Sequence, residues 1–190
     1  MGREQDRKAA IAKAQIELNK KLAYLDTETT GLKAHDQIVE ICLIDNDGAV
    51  LIDSLVKPTV KIPSDATRIH GITDAMVSHA PTWPELWPQL EPLFAERRIA
   101  IYNADYDLRL MKQSHRVHGL IWQTTISQFC IMKLYAQYRG NWNAWSGSYR
   151  WVSLDDARWQ CHLEFPNAHR ARADTLLARA VLQVVAAQKA

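Results

Sequence analysis

The sequence predicts an α/β domain with a mixed five-stranded sheet flanked by helices. Three strand patterns come first, at residues 22–26, 37–44 and 49–56. The second and third are joined by Asn46-Asp47-Gly48, a turn that is typical of antiparallel hairpins. Strand and helix patterns then alternate along the chain, which indicates an α/β architecture.

The remaining elements are predicted from periodicity and turn residues. A surface helix rich in Ala, Lys, Gln and Glu is expected at 3–21, and prolines between 58 and 88 predict loops and short helices. The later elements are a fourth strand at 99–102, a helix at 105–118, a fifth strand at 121–126, a helix at 128–138, a loop at 140–149, a short helix from Ser153 through 161, and a final helix at 169–189. With no repeat or long linker, we expect an N-terminal helical extension at 1–21 and one domain at 22–190.

The composition is that of an ordinary globular protein. The 190 residues include 23 Lys and Arg against 21 Asp and Glu, a net charge of +2, and 47% are hydrophobic, which excludes wholly disordered, collagen-like and coiled-coil classes. The charge is unevenly divided, since residues 1–96 hold 10 basic and 15 acidic side chains whereas residues 97–190 hold 13 and 6. Three scattered cysteines predict a reducing compartment, and no apolar run is long enough for a membrane helix, so we expect a cytoplasmic protein without a membrane segment.

An acidic pair closes the first predicted strand. Asp26 and Glu28 are two residues apart, so in an extended chain both side chains point to the same face. Two adjacent carboxylates repel each other unless a cation lies between them, which favours a divalent metal site. The alternative is a solvated strand end followed by a polar turn.

Two further acidic sites follow. Asp105 and Asp107 come after the fourth strand, at an edge where α/β sheets bind ligands, although an Asp there can simply cap a helix. His169 and Asp174 stand at the head of the last helix, and they share a face only if His169 lies on the preceding loop. Alone, this histidine is more typical of a surface residue.

In their order and spacing, the three sites resemble the motifs of the DEDDh exonucleases, which include polymerase III epsilon-like proofreading subunits and RNase T-like enzymes with the RNase H-like fold. The N-A-D-Y-D run at 103–107 is similar to the family's N-A-x-F-D segment, and the I-H-G-I-T run at 69–73 matches another family segment. The likeness extends from Leu22 to the C-terminal helix. One departure is Tyr102, where family members often carry His.

The resemblance implies a catalytic set of five residues. Asp26, Glu28, Asp107 and Asp174 would hold two divalent cations, Mg²⁺ or Mn²⁺, which prefer carboxylate oxygen. His169 would take a proton from water, as histidine can near neutral pH.

The implied reaction is hydrolysis of the terminal phosphodiester at the 3′ end of single-stranded DNA, releasing 5′-mononucleotides. An exoribonuclease or small-oligonucleotide trimmer stays open as an alternative, because the five residues do not sense the 2′-hydroxyl. A polymerase-associated accessory or binding subunit also stays open. The oligomeric state is not predicted.

Other residues are expected to contact the substrate. Glycine lets a backbone approach a nucleotide closely, and a neighbouring leucine can pack on a base or sugar, although both could simply form a turn. The expected substrate-binding residues are Thr29, Gly31, Leu32, His70, Asn103, Arg139 and Arg150.

A tryptophan-rich stretch lies outside the family motifs. Aromatic and basic residues together are typical of single-strand binding, but aromatic side chains more often pack. We therefore expect these tryptophans to pack in a small core or dimer contact, with Arg139 and Arg150 as the substrate contacts. The four tryptophans are Trp142, Trp145, Trp151 and Trp159.

Overall fold

The computed structural model describes residues 2–164 and 168–189. Its elements in chain order are α1 (Gly2–Leu18), β1 (Leu22–Thr29), β2 (Ile38–Asp45), β3 (Val50–Leu55), α2 (Ser64–His70), α3 (Asp74–Val77), α4 (Trp83–Glu96), β4 (Arg98–Ile101), α5 (Ala104–Val117), β5 (Gln128–Cys130), α6 (Ile131–Arg139), β6 (Trp142–Asn143), β7 (Ser148–Tyr149), α7 (Leu154–Gln160) and α8 (Ala171–Ala186). No helix within those ranges combines the length and apolar character that crossing a membrane requires.

The main sheet has the strand order β3-β2-β1-β4-β5. β1 and β2 pair antiparallel, as do β2 and β3, whereas β4 pairs parallel with both β1 and β5. The predicted mixed five-stranded sheet is therefore confirmed. Its parallel centre places the carboxyl ends of β1 and β4 at one edge.

Each face of the sheet is covered by a different set of helices. Tyr24 and Cys42 point toward the core formed with α1, α6 and α8. Leu25 and Ile41 point to the opposite face and pack with α4 and α5. This separation follows from the alternation of side chains along a strand. It also means that α5 and α8 approach β1 from opposite faces.

The predicted fifth strand at 121–126 is wrong. The strand that pairs with β4 is β5, three residues long, and the helix predicted to begin at 128 begins at Ile131 instead. Residues 121–126 are held instead by side-chain packing. The centroid of the Trp122 ring lies 5.1 Å from that of Trp87 and 4.7 Å from that of His115. Residues 121–126 therefore pack through this aromatic cluster and do not pair with β4. The predicted loop at 140–149 also contains the short antiparallel pair β6–β7.

The N-terminal helix packs on the domain. Ala10, Ile11 and Ala14 of α1 are buried in the core shared with α6 and α8. At its other end, the Glu17 carboxylate pairs with Arg98, with Nε and Oε2 2.7 Å apart. The helix is thus tied both to the core and to the start of β4.

Truncating the buried face of α1 should destabilise the whole domain. We expect Ile11→Ala to lower the free energy of unfolding by about 2–5 kcal/mol, because Ile11 is only 2% exposed and its loss leaves a cavity. The measurement is urea denaturation followed by circular dichroism. Ile16→Ala is the matched control, since Ile16 on the same helix is 59% exposed, and it should change stability by less than about 0.5 kcal/mol. Equal effects of the two substitutions would contradict the docking of α1.

Candidate active site

The acidic pair lies at the carboxyl end of β1. Leu25 is level with Ile101, the last residue of β4, so Asp26 and Glu28 extend past the end of the neighbouring parallel strand. β2 continues to pair with this part of β1 on the other side. The two carboxylates therefore project from a rigid strand at the edge of the sheet.

Asp107 reaches the same edge from the opposite face. It lies in the first turn of α5, and its Oδ1 accepts a 2.8 Å hydrogen bond from Thr27 Oγ1. Thr27 points away from Asp26 and Glu28 because side chains alternate along the strand. Asp105 instead forms a 2.6 Å surface ion pair with Lys133. The structure thus distinguishes the two aspartates of this segment.

His169 and Asp174 lie on either side of the start of α8, a helix that packs across β1 and β2. The helix begins at Ala171, so His169 lies on the preceding loop, with a left-handed φ of 45°. Histidine tolerates this region better than most side chains. His169 and Asp174 are electrostatic neighbours: burial raises the pKa of Asp174 to about 6, and the charge of His169 opposes that rise.

A buried glutamate anchors this helix start. Glu40 of β2 pairs across the sheet with Glu28, and it is 3% exposed. Its carboxylate accepts hydrogen bonds from Ala171 N at 2.8 Å and from Arg170 Nε at 3.0 Å. An anion at a helix N-terminus also complements the exposed amides and the helix dipole. Glu40 thereby fixes α8 against the strand that carries Glu28.

The carboxylate cluster fits a divalent cation. One oxygen atom from each of Asp26, Glu28 and Asp174 lies within 4.8 Å of the others. Asp107 is close enough that its charge raises the pKa of Asp26. A site built from several carboxylate oxygens suits hard cations such as Mg²⁺ or Mn²⁺.

The pKa values of the four acids are raised. Burial is the largest cause at each, and it is reinforced at Asp26 by Asp107 and at Glu28 by Asp174. The pKa of Asp26 lies well above its ordinary value, that of Glu28 is about 8, that of Asp107 about 7 and that of Asp174 about 6. Like charges held together in this way favour cation binding.

A cleft of about 470 Å³ adjoins the cluster and shares Glu28 with it. Its wall also includes Leu32 and Ile69, which are 77% and 59% exposed and offer apolar surface at the opening. Tyr106 closes another side and donates a hydrogen bond to Gly31 O at 3.2 Å. The cleft combines the apolar surface of Leu32 and Ile69 with charged lining residues, among them Glu28, Asp65 and Lys33.

Gly31 in this wall is required by local geometry. Its φ is 153°, and a Cβ atom there would lie 2.7 Å from Asp36 Oδ2. Asp36 also holds the loop through Thr30 Oγ1 at 2.9 Å and Lys33 N at 2.5 Å. The close neighbour of Gly31 is therefore the Asp36 side chain.

His70 lies in the cleft as a neutral side chain. Ile72 N donates to its Nδ1 at 3.0 Å, so Nε2 carries the proton and donates to Thr29 O at 3.2 Å. Burial lowers its pKa. Thr29 in turn bonds through Oγ1 to the Tyr106 hydroxyl at 2.7 Å. His70 and Tyr106 thus hold the end of β1 from two sides.

Three predicted substrate contacts are not among the described residues that line the cleft. Asn103 lies at the N-cap of α5, Arg139 ends α6, and Arg150 follows β7 beside a separate hollow. Glu40 and Thr27 were not predicted from the sequence. A charged residue inside the apolar strand β2 was the available signal for Glu40, because buried charges need partners.

Comparison with known proteins places this site in a family context. A family model described as an RNase T exonuclease matches residues 24–182. The chain is 43% identical over 169 residues to the uncharacterized exonuclease CP81 of Escherichia phage 186, covering 86% of this chain and 87% of that protein. It is 37% identical over 102 residues to a DNA polymerase III subunit epsilon-like protein of Rhodobacter capsulatus, covering 50% and 14%. The predicted resemblance is confirmed.

Solved structures share the fold. E. coli exonuclease I in complex with a dT13 oligonucleotide superposes with a TM-score of 0.69 at 20% identity, covering 89% of this chain and 41% of that chain. Exonuclease X in complex with 5′ overhanging duplex DNA gives 0.62 at 26% identity, covering 86% and 90%. The chain thus spans about two fifths of exonuclease I. The predicted RNase H-like exonuclease fold is confirmed.

The raised pKa values predict how stability responds to pH. The pKa of folded Glu28 is about 8 against an ordinary 4.5, so the folded protein retains a proton that the unfolded chain has released. In EDTA, the free energy of unfolding should therefore fall as the pH rises from about 5 to 8. We expect a loss of roughly 1–3 kcal/mol, or about 2–4 °C in melting temperature per kcal/mol.

Magnesium should reverse this loss. Because the ion competes with protons for the same carboxylates, the rise in melting temperature on adding Mg²⁺ should be larger at pH 8 than at pH 5.5. Calorimetry at both pH values measures it, with Asp26→Asn expected to reduce the Mg²⁺-dependent gain. A melting temperature in EDTA that rises between these pH values would contradict the charge arrangement.

Proposed function

Since the chain belongs to the RNase T exonuclease family, we propose that it is a 3′-to-5′ exonuclease of single-stranded DNA that uses two divalent cations. Its class, a hydrolase of nucleic-acid phosphodiesters, follows from membership of the family. The observation that carries the proposal is the meeting of the Asp26, Glu28 and Asp174 carboxylates at one sheet edge, with His169 beside them.

The reaction needs a cation-binding group and a proton acceptor. Asp26, Glu28, Asp107 and Asp174 are the residues that would hold Mg²⁺ or Mn²⁺. When bound, the ions supply activation of water and charge stabilisation at the phosphate and the leaving oxygen. His169 accepts the proton of the attacking water. The new bond joins the water oxygen to phosphorus, and the bond from phosphorus to the 3′ oxygen breaks. The departing 3′ oxygen takes up a proton from solvent, which releases a 5′-mononucleotide and a shortened strand with a 3′ hydroxyl.

The cleft supports binding of the terminal nucleotide. It shares Glu28 with the carboxylate cluster, so a nucleotide in the cleft places its phosphate next to the cations. The exposed Leu32 and Ile69 side chains offer apolar surface to a base or sugar, and recognition of this kind tolerates every base. An enzyme that removes successive nucleotides requires that tolerance.

The similar proteins support the choice of substrate. Exonuclease I was solved with a dT13 single strand, and exonuclease X with duplex DNA that carries a 5′ overhang and hence a recessed 3′ end. The Rhodobacter capsulatus relative is named for a polymerase III subunit, so association with a polymerase is a second element of the proposal. We place the activity in the cytoplasm.

A single experiment tests the reaction and its polarity. With Mg²⁺ and a 5′-labelled DNA single strand, the parent protein should produce a ladder of progressively shorter labelled products. Attack from the 5′ end would release labelled mononucleotide at once. An RNA strand of the same sequence, degraded faster than the DNA, would overturn the DNA preference.

Substitutions test the assigned residues. Asp26→Asn and His169→Ala should each lower the hydrolysis rate by about 10²–10⁴-fold, because each removes a group needed in the transition state. Asp105→Asn is the matched control, since Asp105 forms a surface pair with Lys133, and it should retain activity within about twofold. Circular dichroism confirms folding, and parental rates for folded Asp26→Asn would refute the proposal.

A further inference from the structure

Four tryptophan side chains are exposed on one segment, from β6 to the end of α7. Trp145 at the tip of the β6–β7 hairpin is 98% exposed, and the others are between 42% and 65% exposed. The expectation that they pack in a small core is therefore wrong. We call this set the tryptophan surface; it consists of Trp142, Trp145, Trp151 and Trp159.

The hairpin that carries Trp142 and Trp145 is anchored to α1. The Trp142 ring makes an edge-on contact with Tyr149 at 5.0 Å between centroids. The Tyr149 hydroxyl donates to Asp6 Oδ2 of α1 at 2.5 Å, and Trp145 N donates to Asn143 Oδ1 at 3.0 Å. The Trp142 and Trp145 rings therefore stand on a braced backbone, which reduces the conformational entropy lost on binding.

The segment that carries the tryptophan surface contacts the end of β4 and α8. Tyr102, which directly follows β4, donates from its hydroxyl to Val152 O at 3.0 Å and to Ser153 O at 3.1 Å. α7 then packs on α8, the helix that carries Asp174. A strand whose end lies in the cleft could therefore continue onto the tryptophan surface.

The charge of the first part of this segment suits a polyanion, whereas α7 adds Asp155 and Asp156 against Arg158. Residues 135–153 contain two arginines and no acidic residue. Arg150 and Trp151 line a hollow of about 420 Å³ between the hairpin and the following segment. The Arg158 guanidinium lies 4.1 Å from the centroid of the Trp159 ring, and the acid beside it, Asp155, is paired with Arg158 at 3.0 Å. Exposed aromatic faces next to guanidinium groups are what a single strand needs for base stacking and phosphate contacts.

We propose that the tryptophan surface binds single-stranded DNA upstream of the nucleotide held in the cleft. This inference rests on the proposed function, which supplies the strand, and it adds a second contact that the catalytic residues do not provide. The surface holds the substrate by stacking, so it contributes to affinity for long strands without touching the scissile bond.

Binding without turnover tests the inference directly. The probe is a fluorescein-labelled DNA strand of about 20 nucleotides, longer than the roughly 4–16-nucleotide sites of single-strand binders, measured by anisotropy in EDTA. The double variant Trp145→Ala/Trp151→Ala should bind it at least about tenfold more weakly, because each stacked base contributes measurably. Ile121→Ala, which truncates a 79% exposed side chain outside the surface, should bind as the parent does.

Short and long substrates separate this surface from the catalytic site. With Mg²⁺, the double variant should hydrolyse a dinucleotide at the parental rate while its KM for the long strand rises. If the double variant loses binding of the long strand and the parent hydrolyses neither substrate, the tryptophan surface binds DNA and the proposed function is refuted.

Three outcomes would overturn the inference. The first is parental affinity of the double variant for the long DNA strand. The second is a double variant that loses affinity for an RNA strand of the same sequence but keeps its affinity for the DNA strand. The third is a change from dimer to monomer by light scattering with DNA affinity unchanged, which would assign the surface to a second copy of this chain.

Discussion

Mutual repulsion among carboxylates is the constraint on which the candidate active site depends. Asp26, Glu28 and Asp174 are held within a few ångströms of one another, and burial raises the pKa of each. Side chains in such an arrangement would separate if their backbones were free. They stay together because β1 is paired on both sides and because Glu40 ties the start of α8 to β2. A bound cation is attracted by all of these carboxylates, so the arrangement that makes them repel one another also favours cation binding.

The two-faced architecture explains how distant acids meet. α5 and α8 pack on opposite faces of the sheet, so neither helix crowds the other. Each begins close to the carboxyl ends of β1 and β4, and its first turn carries an aspartate: Asp107 in one and Asp174 in the other. At this edge of the sheet both faces are within reach of one ligand. Ligands of α/β proteins bind at such edges for this reason.

The departure from the family at Tyr102 has a structural counterpart. Family members often carry histidine there, whereas this tyrosine hydroxyl reaches the backbone of Val152 and Ser153. It therefore fixes the segment that joins the tryptophan-bearing hairpin to α7. The unusual residue and the unusual segment are parts of one arrangement, which packs against α8, the helix that carries Asp174.

Local patterns in the chain were sufficient to predict the antiparallel front of the sheet, the capped helix after Ser153 and the acidic pair of β1, because each depends on residues only a few positions apart. They could not decide which segment pairs with β4. The aromatic contacts of Trp122 with Trp87 and His115 come from other elements and hold 121–126 out of the sheet. The partnership of Glu40 with α8 and the exposure of the tryptophans are likewise properties of packing. Such contacts join residues far apart in sequence, and their free energies exist only once the elements have assembled.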